Sequence, residues 1–192
     1  MSSRGLIPLL MAAALICAAL SPGMAETLPA QSAMIEDFKM QPETRWRFFT
    51  DQVMGGESTG GIDFATEDGQ AFARMTGRVS TANRGGFIQM RLDLATPPPE
   101  GTTGVRLVVR GNSQRYFVHL RTGGTLLPWQ YYQSGFDVTQ SWAEMRLPLE
   151  SFTASGGLLR RLPRPGSLAS VAIVAYGRDH EARIEVRELG FY

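Results

Sequence analysis

Short runs of alternating hydrophobic and polar residues, separated by turn-forming residues, extend along the chain from residue 33 onward. Val105, Leu107 and Val109 alternate with Arg106 and Arg110, as expected for a strand with one buried and one exposed face. In the same way, Ile184 and Val186 alternate with the polar residues Arg183, Glu185 and Arg187, which are expected to be exposed. The pattern predicts strands at 33–38, 45–50, 61–66, 71–80, 86–94, 104–111, 115–122, 142–149, 170–177 and 182–192. Many short strands bounded by Gly, Pro, Asn and Asp indicate an all-β sandwich or barrel.

Three segments add detail to this pattern. Residues 170–177, "SVAIVAYG", are apolar throughout and predict a central strand that is covered on both faces. Residues 67–70, "EDGQ", predict a hairpin turn in which Gly69 has a positive φ. Residues 153–167, "TASGGLLRRLPRPGS", have no strand pattern and predict either a surface loop or, because leucines beside arginines suit an interface, a partner-docking loop.

The N-terminal segment has the pattern of a secretory signal peptide. It combines a basic start, an apolar run and small residues before Ala25. The run is shorter than the ~20 apolar residues that cross a bilayer, so we predict no stable membrane anchor. The sequence predicts a signal peptide at 1–25 that is cut after Ala25, a polar linker at 26–32 and one domain at 33–192. We therefore expect a periplasmic or secreted protein.

Composition excludes several classes of site. Cys17 is the only cysteine and lies in the predicted signal peptide, so the domain has neither disulfides nor thiol chemistry. There is no His-x-x-x-His and no EF-hand pattern, and we predict no metal and no cofactor. The chain has 19 basic and 18 acidic residues, with a formal net charge of +1, which gives no electrostatic case for binding nucleic acid.

The stretch Gly56-Glu57-Ser58-Thr59-Gly60 matches the G-x-S-x-G pattern of serine hydrolases. That chemistry needs a helix directly after the serine, so that backbone N–H groups form an oxyanion hole. Here Ile62 and Phe64 alternate as in a strand. A serine hydrolase is therefore only a remote alternative.

The same stretch has a structural interpretation. Of the two histidines, His119 lies within a predicted strand, where a structural role is expected, and His180 lies in an exposed turn. We predict instead that Gly55 and Gly56 turn the chain, that Ser58 bonds to nearby backbone and that Asp51 caps the N–H groups of the loop.

A longer pattern overlaps this stretch. The segment 46–60, "WRFFTDQVMGGESTG", contains a Trp followed by Asp-x-Val-Met-Gly-Gly-x-Ser. It resembles the signature of the NADH:ubiquinone oxidoreductase complex I intermediate-associated protein 30 family, from which Glu57 departs. The matching residues are Trp46, Asp51, Val53, Met54, Gly55, Gly56 and Ser58. Further similarity occurs at 84–92, 104–122, 129–136, 142–152 and 184–192.

This resemblance implies a galactose-binding-like jelly-roll β-sandwich. The mitochondrial members resemble assembly factors that chaperone intermediates of respiratory complex I. By that likeness the protein is expected to be a non-enzymatic, chaperone-like module that binds a protein partner.

The alternative is an exported carbohydrate-binding module, because this fold includes many sugar binders. Trp129, Tyr131 and Tyr132 could stack on sugar rings. Gln130, Arg110 and Arg115 could supply hydrogen bonds. Alternation places Trp129 and Tyr131 on one side and Tyr132 on the other, so at least one aromatic ring is expected in the core.

We predict no catalytic residue. Asp51 and the glycines are expected to shape the binding surface, Arg110 to supply a charge-assisted donor and the aromatic residues to supply contact area. The candidate binding residues are Asp51, Gly55, Gly56, Ser58, Arg110, Tyr116, Trp129 and Tyr132.

Overall fold

A computed structural model describes Met1 and residues 33–192, so the predicted signal peptide beyond Met1 and the linker lie outside the described residues. Short 3₁₀ turns occupy Asp51–Met54, Ala82–Arg84, Leu149–Ser151 and Pro165–Ser167. One helical turn, α1, spans Pro42–Arg45. The strands of the described part are β1 (Ala33–Glu36), β2 (Trp46–Thr50), β3 (Thr59–Glu67), β4 (Gln70–Val79), β5 (Phe87–Asp93), β6 (Gly104–Gly111), β7 (Arg115–Thr122), β8 (Tyr132–Asp137), β9 (Ala143–Pro148), β10 (Thr153–Ala154), β11 (Leu168–Tyr176) and β12 (His180–Phe191).

The strands form two antiparallel sheets. Sheet A has the order β3-β4-β12-β6-β9, with β1 also paired to β12. Sheet B has the order β10-β8-β7-β11-β5-β2. Because most strands alternate apolar and polar side chains, each sheet has an apolar inner face, and the two inner faces pack together. The β-sandwich predicted from the sequence is confirmed.

The core lies between the two sheets. Val105, Leu107 and Val109 of β6 are fully buried, as their alternation predicts. Sheet B contributes Trp46, Ile88, Met90, Val118, Leu120 and Ile173, and sheet A adds Met75, Ile184, Val186 and Leu189. Burial of these side chains stabilises the domain by about 25 cal/mol for each Å² of apolar surface removed from water.

All ten predicted strands form, with ends that differ by a few residues. Two strands were not predicted. β8 was missed because Ser134 and Gly135 interrupt its apolar pattern, although Tyr132 and Phe136 are buried on its inner face. β10 has only two residues and lies at the start of the predicted loop 153–167, which also contains a 3₁₀ turn.

Two local predictions are confirmed. β11 lies between β7 and β5 in sheet B, so the apolar segment 170–177 is a central strand. Glu67 pairs with Gln70 across the β3–β4 hairpin, and Gly69 has a φ of 75°. Positive φ is the reason that a glycine occupies this turn position.

One alternation-based expectation is wrong. Glu185 of β12 lies on the outer face of sheet A, where its position predicts exposure, but it is almost fully buried. Arg74 and Arg110 from the neighbouring strands cover its carboxylate, and Arg74 donates to Glu185 Oε1 at 2.8 Å. Cross-strand neighbours, which the sequence alone does not identify, bury this charge.

Candidate functional site

The family-like loop between β2 and β3 is organised by one buried carboxylate. Asp51 is fully buried and accepts hydrogen bonds from the backbone N–H of Ser58 at 2.9 Å, from Gly86 at 2.5 Å and from Phe87 at 3.3 Å. It also accepts a bond from the hydroxyl of Ser58. Burial alone raises the pKa of Asp51, but these hydrogen bonds outweigh it and hold the pKa below its usual range. Asp51 therefore ties the β2–β3 loop to the β4–β5 loop.

Asp51 lies so close to the backbone at Gly56 and Gly85 that only glycine fits at these two positions. A Cβ at Gly56 would lie 2.3 Å from Asp51 Cγ, and a Cβ at Gly85 would lie 2.3 Å from Asp51 Oδ2. Gly55 has open space around it but a φ of 87°, which ends the 3₁₀ turn. The loop-shaping role predicted for Asp51, Gly55 and Gly56 is thus confirmed.

Ser58 is unsuited to act as a nucleophile. It is fully buried, and its hydroxyl donates to Asp51 and accepts from the N–H of Ser80 at 3.0 Å. The two histidines are bonded elsewhere: Nε2 of His119 to Gln133, and Nδ1 of His180 to the carbonyl of Arg178. A strand, not a helix, follows Ser58. The structure therefore contradicts the serine-hydrolase alternative.

The same loop exposes two apolar side chains that the sequence analysis did not single out for binding. Val53 is 72% exposed and Met54 is 60% exposed, although both lie between the buried Asp51 and the turn at Gly55. Because Asp51 is bonded to two loops, these side chains project from a well-held backbone. They form one rim of a groove.

The groove lies on the outer face of sheet B and has a volume of about 610 Å³. Along β11 the lining consists of Ser170, Ala172, Val174 and Tyr176, with the small Ala172 and Val174 in the middle. β5 and β7 flank β11, and their outward side chains complete the floor. The floor residues are Gln89, Arg91, His119, Arg121, Ala172 and Val174.

The opposite rim is the segment that leads into β8. Trp129 is 63% exposed on this rim, next to the half-buried Tyr131. The guanidinium of Arg121 donates to the carbonyls of Thr125 at 3.0 Å and of Leu127 at 3.1 Å. Ser155 Oγ donates to the carbonyl of Trp129 at 2.8 Å and accepts from the N–H of Tyr131 at 3.0 Å. Side chains from two neighbouring segments therefore hold this rim in place.

An aromatic stack joins the floor to this rim. The rings of His119 and Tyr131 are parallel, with centroids 4.0 Å apart, and Tyr176 packs edge-on against His119. Burial lowers the pKa of His119 to about 4, although the hydrogen bond with Gln133 opposes this shift. His119 is therefore neutral near neutral pH, and the arginines carry the positive charge of the groove.

The pKa of His119 predicts a pH-dependent stability. The unfolded chain binds a proton at His119 near pH 6.5 and the folded protein only near pH 4, so the folded state loses stability as the pH falls between these values. The free energy of unfolding is expected to fall by about 2 kcal/mol between pH 7 and pH 5 through this residue. Urea unfolding checks this: His119→Gln should flatten the decline, and an unchanged slope would contradict it. His180→Gln is the comparison variant: burial also lowers the pKa of the more exposed His180, but by less, so this change should flatten the decline less than His119→Gln does.

Two predicted binding residues, Tyr116 and Tyr132, lie away from the groove. Both are buried in the core, because their strand positions point inward. The hydroxyl of Tyr116 donates to Asn112 at 2.7 Å, and burial raises the pKa of Tyr116 to about 12. Neither tyrosine is available to a ligand, and their predicted contact role is wrong.

Arg110 is engaged on the other side of the molecule. It lies on the outer face of sheet A and forms ion pairs with Glu185 and with Glu67, the latter at 2.7 Å. These residues line a separate depression of about 540 Å³. The predicted role of Arg110 as a donor beside the aromatic residues is therefore wrong, because strand order places it on the opposite sheet.

Of the predicted set, Trp129 lines the groove and the Asp51 cluster supports its other rim. Alternation correctly separated Trp129 and Tyr131 from the buried Tyr132. The groove residues that sequence reasoning did not select include Val53, Met54, Arg84, Arg91, Arg121 and Tyr176. A signal existed for Arg91, because the polar positions of the strand predicted at 86–94 face away from the core.

Among the described residues, no three His, Cys, Asp or Glu side chains form a cluster suited to a metal ion. In that same part of the chain, no helix has the length and apolar character needed to cross a membrane.

Solved structures with a similar fold include several carbohydrate-binding modules. The family 11 module of the cellulosomal cellulase Lic26A-Cel5E of Clostridium thermocellum matches with a TM-score of 0.68 and 10% identity, over 83% of this chain and 93% of that chain. The Clostridium thermocellum family 11 module in complex with a β-1,3-1,4-mixed-linked tetrasaccharide matches with a TM-score of 0.63 and 13% identity, over 83% and 94%. The family 30 module of Cel9D-Cel44B from the same organism has a TM-score of 0.51 at 11% identity, over 70% and 82%.

These matches show the fold alone, which is the galactose-binding-like jelly roll predicted from the resemblance. No curated protein matches the sequence. The sequence model of the complex I intermediate-associated protein 30 family matches residues 36–178, which include the Asp51 cluster and both rims of the groove. The protein therefore belongs to the complex I intermediate-associated protein 30 family.

Proposed function

We propose that this protein is a non-catalytic binding module that holds a segment of a partner protein in the groove of sheet B, in the manner of an assembly factor. One observation carries the proposal: a preformed groove has exposed apolar side chains on both rims. Val53 and Met54 stand on one rim and Trp129 on the other. The family name describes association with an assembly intermediate, which supports a protein as the occupant.

The chemistry of the rims favours a protein over a sugar. Aliphatic and thioether side chains suit the varied apolar side chains of a polypeptide, and methionine is common on surfaces that adapt to their partners. Exposed apolar residues that lie together on a surface are typical of interaction sites. His119, the histidine that lines the groove, is bonded to Gln133 and stacked on Tyr131, which supports a binding role for it rather than a catalytic one.

We propose that this activity lies outside the cytoplasm, which the predicted signal peptide supports. We propose that the partner is an exported protein or an exposed part of a membrane complex. Fractionation of cells that express the full chain tests the location: mature protein that begins after Ala25 in the periplasm or medium supports it, and full-length protein in the cytoplasm contradicts it.

Site-specific photocrosslinking in cells tests the groove as the binding surface. With benzoylphenylalanine at Met54, irradiation is expected to produce an adduct with a discrete protein that mass spectrometry identifies. The same probe at Asp63, which is exposed on sheet A, should give no such adduct. Equal adducts from both positions, or none from Met54, would contradict the proposal.

Variants measure which side chains carry the binding. Trp129→Ala and Val53→Ser are each expected to weaken affinity for the identified partner by about tenfold, because each removes apolar contact area at a rim. Leu158→Ala is the matched control: Leu158 is 89% exposed but belongs to the loop 153–167 and does not line the groove. Loss of binding in Leu158→Ala alone would instead favour that loop as the docking surface. Titration calorimetry gives the affinities.

A carbohydrate is the second candidate occupant. The observation that favours it is the cluster of Trp129, Tyr131 and Tyr176 beside arginines, which resembles the aromatic platform of a sugar site. A glycan array with wild-type protein and Trp129→Ala tests this. Glycan binding that vanishes in Trp129→Ala but survives in Val53→Ser would favour the sugar.

A further inference from the structure

We propose that the groove selects a partner segment that carries carboxylate side chains next to its apolar ones. This inference rests on the proposed function and specifies the chemistry of the occupant. Its basis is a charge imbalance: Arg84, Arg91 and Arg121 line the groove, whereas no Asp or Glu of the described residues lines it.

The imbalance is local, because the whole chain has 19 basic and 18 acidic residues. On the outer face of sheet A, several arginines are paired with acids. Arg106 bonds to Glu144 at 2.8 Å and to Glu188 at 2.7 Å, and Arg74 bonds to Glu185 at 2.8 Å. Sheet A therefore presents arginines together with acids, whereas the charged residues that line the groove within the described part of the chain are all arginines.

Arg91, on the groove floor, has one anionic neighbour, which it shares with Arg47. Arg91 forms an ion pair with Asp93, whose Oδ1 lies 3.3 Å from Arg91 Nε, and the half-exposed Asp93 also pairs with Arg47. The Nε of Arg91 is buried and has no hydrogen bond within the described part of the chain. Burial, then repulsion from Arg47 and Arg121, lowers the pKa of Arg91 from its ordinary value. An incoming carboxylate beside these guanidinium groups would offset the repulsion between them.

The other two arginines extend the positive surface across the groove. Arg121 lies two strands from Arg91, across β11, and its guanidinium donates to rim carbonyls, which leaves its charge uncompensated. Arg84 is exposed next to Gly85 on the Val53 side. Among residues 33–192, neither Arg84 nor Arg121 forms an ion pair with a carboxylate.

The arrangement defines the occupant as acidic and apolar together. The rims offer aliphatic and aromatic contact, and the floor between them offers guanidinium groups that bind carboxylates in a fixed geometry. A neutral segment would leave these cations desolvated and unpaired, which costs free energy, whereas a basic segment would be repelled. Charge therefore discriminates among partners that fit the apolar rims equally well.

A random dodecapeptide library displayed on phage tests the inference with the purified mature domain. Selected peptides are expected to combine Asp or Glu with Leu, Met or aromatic residues. Replacing the acidic residues of a selected peptide with their amides should weaken its affinity by about tenfold or more, and the difference should shrink at high salt.

Arginine variants locate the effect. Arg91→Gln and Arg84→Gln are each expected to weaken binding of the acidic peptide and to leave its amide counterpart little changed. Arg146→Gln, at an exposed arginine on sheet A, is the matched control. Circular dichroism confirms that each variant remains folded.

The outcomes separate the two claims. Selection of uncharged peptides, or equal binding of the acid and amide forms, would overturn the acidic preference while leaving a protein-binding groove. A different outcome is that no peptide binds, whereas alginate, a polyuronate, binds to wild type but not to Arg91→Gln. That outcome would overturn the protein-binding function and, with it, the proposal of an acidic peptide segment.

Discussion

Replacing Asp51 with alanine is expected to lower the free energy of unfolding by about 3 kcal/mol or more, because several buried donors then lose their acceptor. The donors are the N–H groups of Ser58, Gly86 and Phe87 and the hydroxyl of Ser58. Asp51→Asn keeps the shape but turns an amide N–H₂ toward donors, so it should destabilise nearly as much. Urea unfolding at neutral pH measures the change.

The pH dependence follows from the sign of the pKa shift. The pKa of Asp51 is lower in the folded than in the unfolded protein, so its stabilisation is complete above the unfolded pKa and is lost as the pH falls through the folded one. The curves of wild type and Asp51→Asn should therefore approach each other in acid. Asp63→Asn, at an exposed residue of β3, should change stability by only about 0.5 kcal/mol. A loss as small as that in Asp51→Ala would contradict the role assigned to Asp51.

This prediction bears on binding as well as on stability. Val53 and Met54 lie in the same 3₁₀ turn as Asp51, so loss of the carboxylate should release the rim that they form. In the partner or peptide assays above, Asp51→Asn is expected to weaken binding although Asp51 itself contacts no ligand. The effect should be smaller at a temperature where the variant remains fully folded than near its unfolding midpoint.

Replacing Glu185 with glutamine is expected to lower the free energy of unfolding by about 3 kcal/mol, because the change leaves partly buried guanidinium groups without their anion. Glu185 accepts from Arg74 at 2.8 Å, pairs with Arg110 and lies 3.3 Å from Arg183. Burial raises its pKa, but the hydrogen bonds and charges of Arg74 and Arg110 outweigh this and lower it. The stabilisation should therefore be present at neutral pH and be lost in acid, as the carboxyl gains a proton.

Glu144→Gln is the matched control on the same sheet. Glu144 also bonds to two arginines, Arg106 and Arg146, but it is far more exposed than Glu185. An exposed ion pair contributes little, so Glu144→Gln should cost about 0.5 kcal/mol or less. Similar losses of unfolding free energy in the two variants would contradict the conclusion that burial makes the Glu185 ion pairs more stabilising than those of Glu144. Because Glu185 lies away from the groove, Glu185→Gln should leave partner affinity unchanged when the protein is folded.

The part of the site that sequence reasoning could predict is the part built from local signals. The match to Asp-x-Val-Met-Gly-Gly-x-Ser identified a shaped loop, and the side chains of Asp51 and Ser58 were assigned to it. The second loop that Asp51 binds, at Gly85 and Gly86, lies far along the chain. No pattern within the sequence links the two loops, because the link is made by the folding of β5 beside β2.

The failures at Arg110, Tyr116 and Glu185 share one cause. Alternation shows which side chains of a strand point the same way. It does not show whether that face packs against the core, against side chains of neighbouring strands or against solvent. Tyr116 was selected as contact area, and its face meets the core. Arg110 was correctly predicted to face away from the core. The structure places it on sheet A, opposite the sheet that carries the aromatic rim. Glu185 was placed on an exposed face, and its neighbours across two strand pairs cover it.

By itself, the sequence determined ten of the twelve described strands, the hairpin at Gly69, the family and the inward or outward sense of most strand positions, because alternation, turn residues and motifs are properties of neighbouring residues. Only the tertiary structure decided that a groove exists and which residues line it. The order β7-β11-β5 places His119 and Arg121 beside Ala172 and near Arg91, and hydrogen bonds from a distant loop to Asp51 hold the Val53 rim. Strand order and long-range hydrogen bonds depend on how the two apolar faces pack, and that packing is a property of the whole chain.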